Sequence, residues 1–136
     1  MNILINWKTM TRLNEDYCRV LYANIDCENN EIVYIGKADF LSVKKRINGK
    51  DKTSLYNFLR ENGTNKIKTI IGDIVLEEGK KLSQELLSDI ESLLIKRINP
   101  IGNIQSQKTR ISRPGMHIFC KGAAWPDAKS AFFDKG

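Results

Sequence analysis

The sequence predicts an α+β domain with a small, mainly antiparallel three-stranded sheet flanked by helices. Its 136 residues are about enough for one domain. The local patterns run strand, strand, helix, helix, strand, helix and then a basic tail, an order typical of α+β domains. We therefore expect an N-terminal arm at 1–18, a core at 19–105 and a basic C-terminal extension at 106–136.

Three segments have the composition of β-strands. Residues 19–26 and 32–35 flank the polar turn 28–31, which predicts a β-hairpin. Residues 66–76 are rich in β-branched side chains and predict the third strand, with Gly72 as a candidate bulge. In the first strand, alternation places Tyr22 on a half-polar face and Leu21 on an apolar one. Residues 1–18 show no regular pattern and predict an irregular arm or a short helix.

Three helices are indicated by their capping residues. Ser42 can cap a short basic helix that ends at Ile47. A second helix begins at residue 53 or 54 and ends before Gly63. A third runs from Ser83 to about residue 98, where Asn99 and a proline stop it. In the tail, residues 116–120 are a candidate strand and residues 122–136 predict a loop.

Composition narrows the functional class. Lys plus Arg number 22 against 16 Asp plus Glu, a net charge of +6, which favours a polyanionic partner or is simply a lysine-rich surface. Cys18, Cys27 and Cys120 lack metal-ligand spacing, which favours a reduced, cytoplasmic compartment. The single histidine, His117, disfavours a zinc site. Without a signal-peptide or transmembrane pattern, no membrane association is expected.

The third helix contains a carboxylate at an unusual position. Glu91 lies on the edge of a leucine-rich face, where burial without a partner would cost several kcal/mol. It must be neutralised, paired or bound to a metal. Alternatively, it bends out to water or pairs with Lys96 or Arg97.

Other candidate residues are two strand tyrosines and a basic helix. Tyr22 and Tyr34 lie on neighbouring strands, and a glycine and Lys37 follow the second one. Both tyrosines also suit strands for their β-propensity alone. Residues 44–46 are consecutive cations, of which Arg46 is the best suited to bidentate phosphate binding. The alternative is a solvated basic face.

Together these residues resemble the motifs of the GIY-YIG nuclease superfamily. Tyr22 is followed, after eleven residues, by Tyr34-Ile35-Gly36, and the first motif reads Val20-Leu21-Tyr22 in place of Gly-Ile-Tyr. A lysine, an arginine, a glutamate and an asparagine follow in the family's order. The residues from Glu91 to Gln105 resemble small standalone members of the phage endonuclease II type. The resemblance covers roughly 20–105.

The resemblance implies a GIY-YIG-like core and a metal-dependent endonuclease. The metal, one Mg²⁺ or Mn²⁺ per site, would be held by Glu91, since carboxylate oxygens and water suit Mg²⁺. The tyrosines would bind the attacking water: Tyr22 would help to deprotonate it, and Tyr34 would join the same network. Arg46 would stabilise charge on the phosphate. Lys37 would assist there, and Asn103 would orient the site or contact the DNA backbone.

The chain departs from the family pattern in three respects. The first glycine is absent. The segment before Arg46 is slightly long, so Lys44 competes for the arginine's role. A family His or Tyr is replaced by Lys50, with Lys52 nearby, which leaves the identity of the general base open.

The expected partner is double-stranded DNA, with a homodimer or a higher homo-oligomer as a further expectation. The tail is rich in basic and amide side chains that suit phosphate and base contacts, although a solvated loop is the alternative. The expected nucleic-acid-binding residues are Lys44, Lys50, Lys52, Gln105, Lys108, Arg110 and Arg113. Two other classes remain open: a non-catalytic nucleic-acid-binding module on the same scaffold, and a structural or interaction protein with an incidental basic surface.

Overall fold

The computed structural model describes residues 1–106 and 115–133 of the chain. The strands are β1 (Asn2–Thr9), β2 (Val20–Asp26), β3 (Ile32–Ala38), β4 (Ile67–Leu76), β5 (His117–Lys121) and β6 (Ala131–Phe133). The α-helices are α1 (Val43–Ile47), α2 (Thr53–Glu61) and α3 (Gln84–Ile98), and 3-10 helices span Lys50–Lys52 and Ile101–Ser106.

The strands form one six-stranded sheet in the order β3-β2-β4-β1-β5-β6. The sheet curls into a half-barrel, and it is mixed because β1 runs parallel to β5 while every other pair is antiparallel. The expected three-stranded, mainly antiparallel sheet flanked by helices is therefore wrong. The three strands read from the sequence form one end of the sheet, and the segments read as an arm and a tail supply the rest.

Strand β1 lies in the segment 1–18, where the sequence predicted an irregular arm or a short helix. Its apolar alternation covers only three positions, which is too short to stand out from the sequence. Ile3, Ile5 and Trp7 alternate along it and are buried, which is the period-2 pattern of a strand with one face in the core. Gly72 on β4 lies directly opposite Trp7. A Cβ at Gly72 would stand 2.7 Å from Ile5 and 3.0 Å from the Trp7 ring. This glycine makes room for the tryptophan and is not a bulge.

The C-terminal strands β5 and β6 extend the sheet beyond β1. Residues 117–121 pair with β1, as the candidate strand at 116–120 had indicated, and β6 pairs with β5 where a loop was expected. The Trp125 ring lies 5.1 Å from the Trp7 ring between centroids. The Nε1 of Trp125 donates to the backbone oxygen of Lys129 at 3.0 Å, which anchors the connection between the two strands.

Two apolar clusters cover the two faces of the sheet. The larger cluster joins Leu21, Ala23 and Ile35 to the leucine-rich face of α3. The smaller cluster, on the other face, joins Tyr22 to Val43 of α1. Every residue of β2 is buried as a result. Tyr22, expected on a half-polar face, is therefore enclosed, because the sequence pattern of β2 does not reveal that α1 covers that face.

The helix boundaries follow local signals closely. Ser42 accepts a bond from the Lys45 amide, and Ser83 accepts one from the Leu86 amide, so both predicted caps are confirmed. Helix α3 ends at Asn99, whose left-handed conformation (φ 54°) terminates the helix before the proline. Among the described residues, no helix is long and apolar enough to cross a membrane.

Candidate functional site

The first part of the site is a tyrosine seated on a glycine of the neighbouring strand. Tyr22 and Gly36 are register partners on β2 and β3. A Cβ at Gly36 would stand 2.5 Å from both the Cζ and the hydroxyl of Tyr22. Glycine is therefore required at position 36 to admit the Tyr22 ring. The tyrosine and the glycine noted in the sequence form one packing unit.

The Tyr22 hydroxyl is buried and makes no hydrogen bond of good geometry to any described residue. Burial raises the pKa of this phenol far above its usual value of 10, and the Tyr34 hydroxyl raises it further, while the Arg46 guanidinium opposes the shift. Tyr22 therefore stays protonated at neutral pH. Such a phenol can donate to or accept from a ligand, but it is a poor proton acceptor from water.

We expect Tyr22→Phe to leave the stability unchanged or to raise it by about 1 kcal/mol, because the lost hydroxyl makes no bond in the folded chain. Since folding holds the Tyr22 proton more tightly, the contribution of Tyr22 to stability should be constant below pH 10 and fall as pH rises above it. The variant should be less sensitive to alkali than wild type, and the remaining sensitivity comes from Cys120 and Tyr56, whose pKa values are also raised by burial. Urea unfolding of both proteins between pH 7 and about pH 11 measures the difference.

Tyr56→Phe is the matched control, since the Tyr56 hydroxyl donates to the Ile47 backbone oxygen at 2.6 Å. Its loss should destabilise the protein by about 1 kcal/mol. A Tyr22→Phe protein that is equally destabilised would show that the Tyr22 hydroxyl has a stabilising partner.

Tyr34 is held by a buried lysine. The Tyr22 and Tyr34 rings lie 6.1 Å apart between centroids. Lys52 donates from Nζ to the Tyr34 hydroxyl at 3.0 Å and lies 4.9 Å from the Tyr34 ring centroid. Although Lys52 was expected to contact DNA, it is only 6% exposed. Its ammonium instead orients the Tyr34 hydroxyl. We call Tyr22, Tyr34 and Lys52 the tyrosine cluster.

A cleft of about 270 Å³ opens where β3 ends and α1 begins. We call it the β3 cleft; its lining residues are Lys37, Asp39, Phe40, Leu41, Arg46 and Gln84. It adjoins the tyrosine cluster through Arg46, whose charge acts on Tyr22. Within residues 1–106 and 115–133, the buried Nε of Arg46 has no acceptor. A guanidinium that lines a cleft and has such an unused donor suits an incoming anion.

Lys44 and Arg46, the two candidates for the cation that stabilises charge on the phosphate, lie in different environments. Lys44 is exposed, and its Nζ lies 3.5 Å from the Glu15 carboxylate. Its backbone amide also bonds to the Glu15 oxygen, so this residue faces the segment before β2. Arg46 lines the β3 cleft instead. The geometry favours Arg46 as the cation of the site.

Helix α3 passes along β3 from the cleft to the far end of the strand. Its first residue, Gln84, lines the β3 cleft, and Ile98 lies in a hollow with Val33 at the start of β3. Lys37 donates from Nζ to Ser88 on this helix. Glu91 follows Ser88 by three residues on the same side of α3 and is half-buried. It therefore lies on the side of α3 that carries Ser88, the residue bonded to Lys37 of β3.

The side chains around the site offer few ligands for a divalent metal. Within residues 1–106 and 115–133, no group of three or more His, Cys, Asp or Glu side chains could hold a metal ion. A metal bound here would rely on one or two carboxylates, on water and on substrate oxygens, which is a ligand set that Mg²⁺ accepts. Glu91 and Asp39 are the carboxylates along β3 that fit. Both Asp39 oxygens are buried and have no hydrogen-bond partner in the part of the chain that the structure describes.

Asn103 uses its whole amide on the sheet edge. Its Oδ1 accepts from the Ile35 amide, and its Nδ2 donates to the Ile35 oxygen, both at 2.9 Å. The side chain thus substitutes for a neighbouring strand beside the edge strand β3. Gly102 allows this approach, because a Cβ there would stand 2.5 Å from the Val33 oxygen. Of the two expected roles, the geometry favours orientation of the site over contact with DNA.

Of the other residues expected to contact nucleic acid, the structure describes the side chain of Lys50 and not those of the C-terminal tail. Lys50 is exposed beside the start of α2. Lys108, Arg110 and Arg113 lie outside the described residues, as does the side chain of Gln105, so these contacts stay predictions.

Four residues of the cleft were not predicted from the sequence: Asp39, Phe40, Leu41 and Gln84. The sequence did offer an indication that Phe40 could belong to a binding site, because an aromatic residue and a leucine lie together in a short loop directly before a basic helix. Asp39 and Gln84 carried none, since only the packing of α1 and α3 against β3 brings them together.

A larger hollow of about 460 Å³ lies at the other end of β3. Its charged lining residues are Glu31 and Asp127. Size alone would favour this hollow, but its acidic lining repels an anionic ligand. The smaller β3 cleft, with Lys37 and Arg46, is the better candidate.

Comparisons of this chain with protein-family models, with curated proteins and with solved structures found no match.

Proposed function

We propose that this protein is a metal-dependent DNA endonuclease of the GIY-YIG type, with its site between the tyrosine cluster and the β3 cleft. The observation that carries the proposal is a pair of buried polar atoms, the Arg46 Nε and the Tyr22 hydroxyl, that have no hydrogen-bond partner among the described residues, together with the Arg46 charge that acts on Tyr22. A phosphate ester supplies oxygens to both. Buried polar groups left unpaired in a native protein call for such an explanation.

Each residue has a defined task in this proposal. Arg46 binds the phosphate and stabilises the charge that develops on it, while Lys37, held by Ser88, adds a second cation. Tyr22 hydrogen-bonds to the phosphate or the attacking water as a neutral phenol. Tyr34, oriented by Lys52, completes the binding of that water. Asn103 is a positioning residue, which keeps the edge of β3 in place.

The reaction is a hydrolysis. The water oxygen forms a bond to phosphorus, and the bond from phosphorus to the 3′ oxygen breaks. The attacking water releases a proton to solvent water, and the departing 3′ oxygen takes one up from solvent. The hydroxyls of the tyrosine cluster orient the attacking water and do not accept its proton. Glu91 would hold a divalent ion, which would polarise the phosphoryl oxygen. With one site per chain, each event cuts one strand.

Glu91→Gln tests the proposal directly. The purified protein should cleave plasmid DNA in Mg²⁺ or Mn²⁺, and the variant should be slower by about 100-fold or more, because several kcal/mol of transition-state stabilisation depend on the metal ligand. Glu85→Gln, an exposed glutamate on the first turn of the same helix, should cleave at the wild-type rate. Sequencing the product ends gives the position and stagger of the cuts.

Two results would contradict the proposal. Wild-type protein that binds DNA but cleaves neither DNA nor RNA in either metal would favour a non-catalytic binding module. Wild-type protein whose DNA affinity is absent, or does not fall as salt is raised, would favour a structural role with an incidental basic surface.

A further inference from the structure

The loop between β3 and α1 carries an exposed apolar pair. Phe40 is 77% exposed and Leu41 is 47% exposed. Both line the β3 cleft next to Arg46. Single apolar residues at the surface are normal, but this pair is an aromatic and an aliphatic side chain at the mouth of the most basic cleft described. It needs a partner that presents an apolar surface beside an anion.

The loop is held firmly at both ends. Ala38 pairs with Val20 in the sheet immediately before it. After it, Ser42 caps α1 through the Lys45 amide, and the Val43 amide bonds to the Tyr17 oxygen. The exposed pair is therefore a short tip on a rigid base. Because the loop is already ordered at both ends, little conformational entropy is lost when its apolar side chains bind a partner.

The charge around the tip selects the partner. Two cations, Lys37 and Arg46, line the cleft against one carboxylate, Asp39, and the exposed Lys45 on α1 adds a further positive charge. Nucleic acid combines an anionic backbone with flat apolar base faces next to each phosphate. A phosphate seated against Arg46 brings the adjoining bases to the Phe40 side of the cleft. A second copy of this chain would bring the same positive charges against one another, which disfavours self-association through this tip.

We propose that Phe40, supported by Leu41, inserts between stacked bases of the bound duplex beside the phosphate that occupies the β3 cleft. The inference rests on the proposed function, and it adds that the substrate is unstacked at the cut. Apolar wedges of this kind partly unstack a base step and bend the duplex, at a cost that the added contacts repay. In this proposal Phe40 contributes to recognition of the duplex and takes no part in the hydrolysis of the phosphodiester bond.

The test uses full-length protein and short duplexes that carry the fluorescent base 2-aminopurine at successive positions across a mapped cut site. Ca²⁺ replaces Mg²⁺ so that the duplex is bound without being cut. Wild-type protein should raise the fluorescence at the step next to the cut, because unstacking relieves quenching. Phe40→Ala should lose this signal and bind about tenfold more weakly. Phe40→Trp, which keeps a flat ring, should retain the signal.

Phe133→Ala is the matched control, since Phe133 is 43% exposed and lies on β6 at the opposite edge of the sheet. It should bind and unstack as wild type does. The salt dependence of binding should also be the same in Phe40→Ala and wild type, because no phosphate contact is lost.

Three outcomes would overturn the inference. An unchanged fluorescence signal in a wild-type complex with DNA removes the wedge and leaves the endonuclease proposal standing. Sedimentation that shows a wild-type dimer and a Phe40→Ala monomer assigns the tip to self-association. A wild-type protein that binds no nucleic acid removes the proposed function together with the wedge.

Discussion

Replacement of Arg46 by alanine is expected to slow phosphodiester cleavage by about 100-fold or more, as is typical when a positioned transition-state donor is removed. The Arg46 Nε is buried without an acceptor, so the folded protein gains nothing from this atom until an anion binds. Stability should therefore be unchanged or slightly higher. Single-turnover cleavage of a defined duplex, with urea unfolding of the same samples, measures both effects.

Two further variants sharpen this result. Lys45→Ala removes an exposed cation one residue away, so it should cleave at nearly the wild-type rate. Arg46→Lys keeps the charge but not the planar fork, and it should recover only part of the activity. Equal losses in Lys45→Ala and Arg46→Ala would show that general positive charge matters, and the assignment of Arg46 would fail.

The second large effect is on stability. Asn103→Ala should lower the free energy of unfolding by about 2–5 kcal/mol, because it leaves the Ile35 amide and oxygen without their partner at a buried position. The 3-10 helix that covers the edge of β3 should loosen as a result, and cleavage should fall with it. Thermal and urea unfolding give the stability, and hydrogen exchange at the Ile35 amide reports the local opening.

Asn65→Ala serves as the control, since Asn65 is an exposed asparagine in the loop before β4. Its stability should stay within about 0.5 kcal/mol of wild type. A free energy of unfolding of Asn103→Ala within the same margin of about 0.5 kcal/mol from wild type would show that water replaces the lost bonds. Asn103 would then have to act on the substrate and not on the sheet edge.

Local chemistry alone predicted the parts of the fold whose signals lie within a few residues. The β2–β3 hairpin and the caps at Ser42 and Ser83 were correct, because a turn or a cap is decided by neighbouring backbone groups. The extent of the sheet was not predicted. Strand β1 pairs with residues about 65 and 115 positions away, and a short alternating pattern does not reveal such distant partners.

The candidate site divides in the same way. The sequence by itself determined which residue types were available and in which order: Tyr22, Tyr34, Arg46 and Glu91. Only the tertiary structure decided their environments. Packing of α1 over β2 encloses the Tyr22 hydroxyl, the turn before α2 sends Lys52 inward to Tyr34, and the β3–α1 loop leaves Phe40 in solvent. Residue identity sets what a side chain can do, whereas burial and the partners within reach are set by segments far away in the chain.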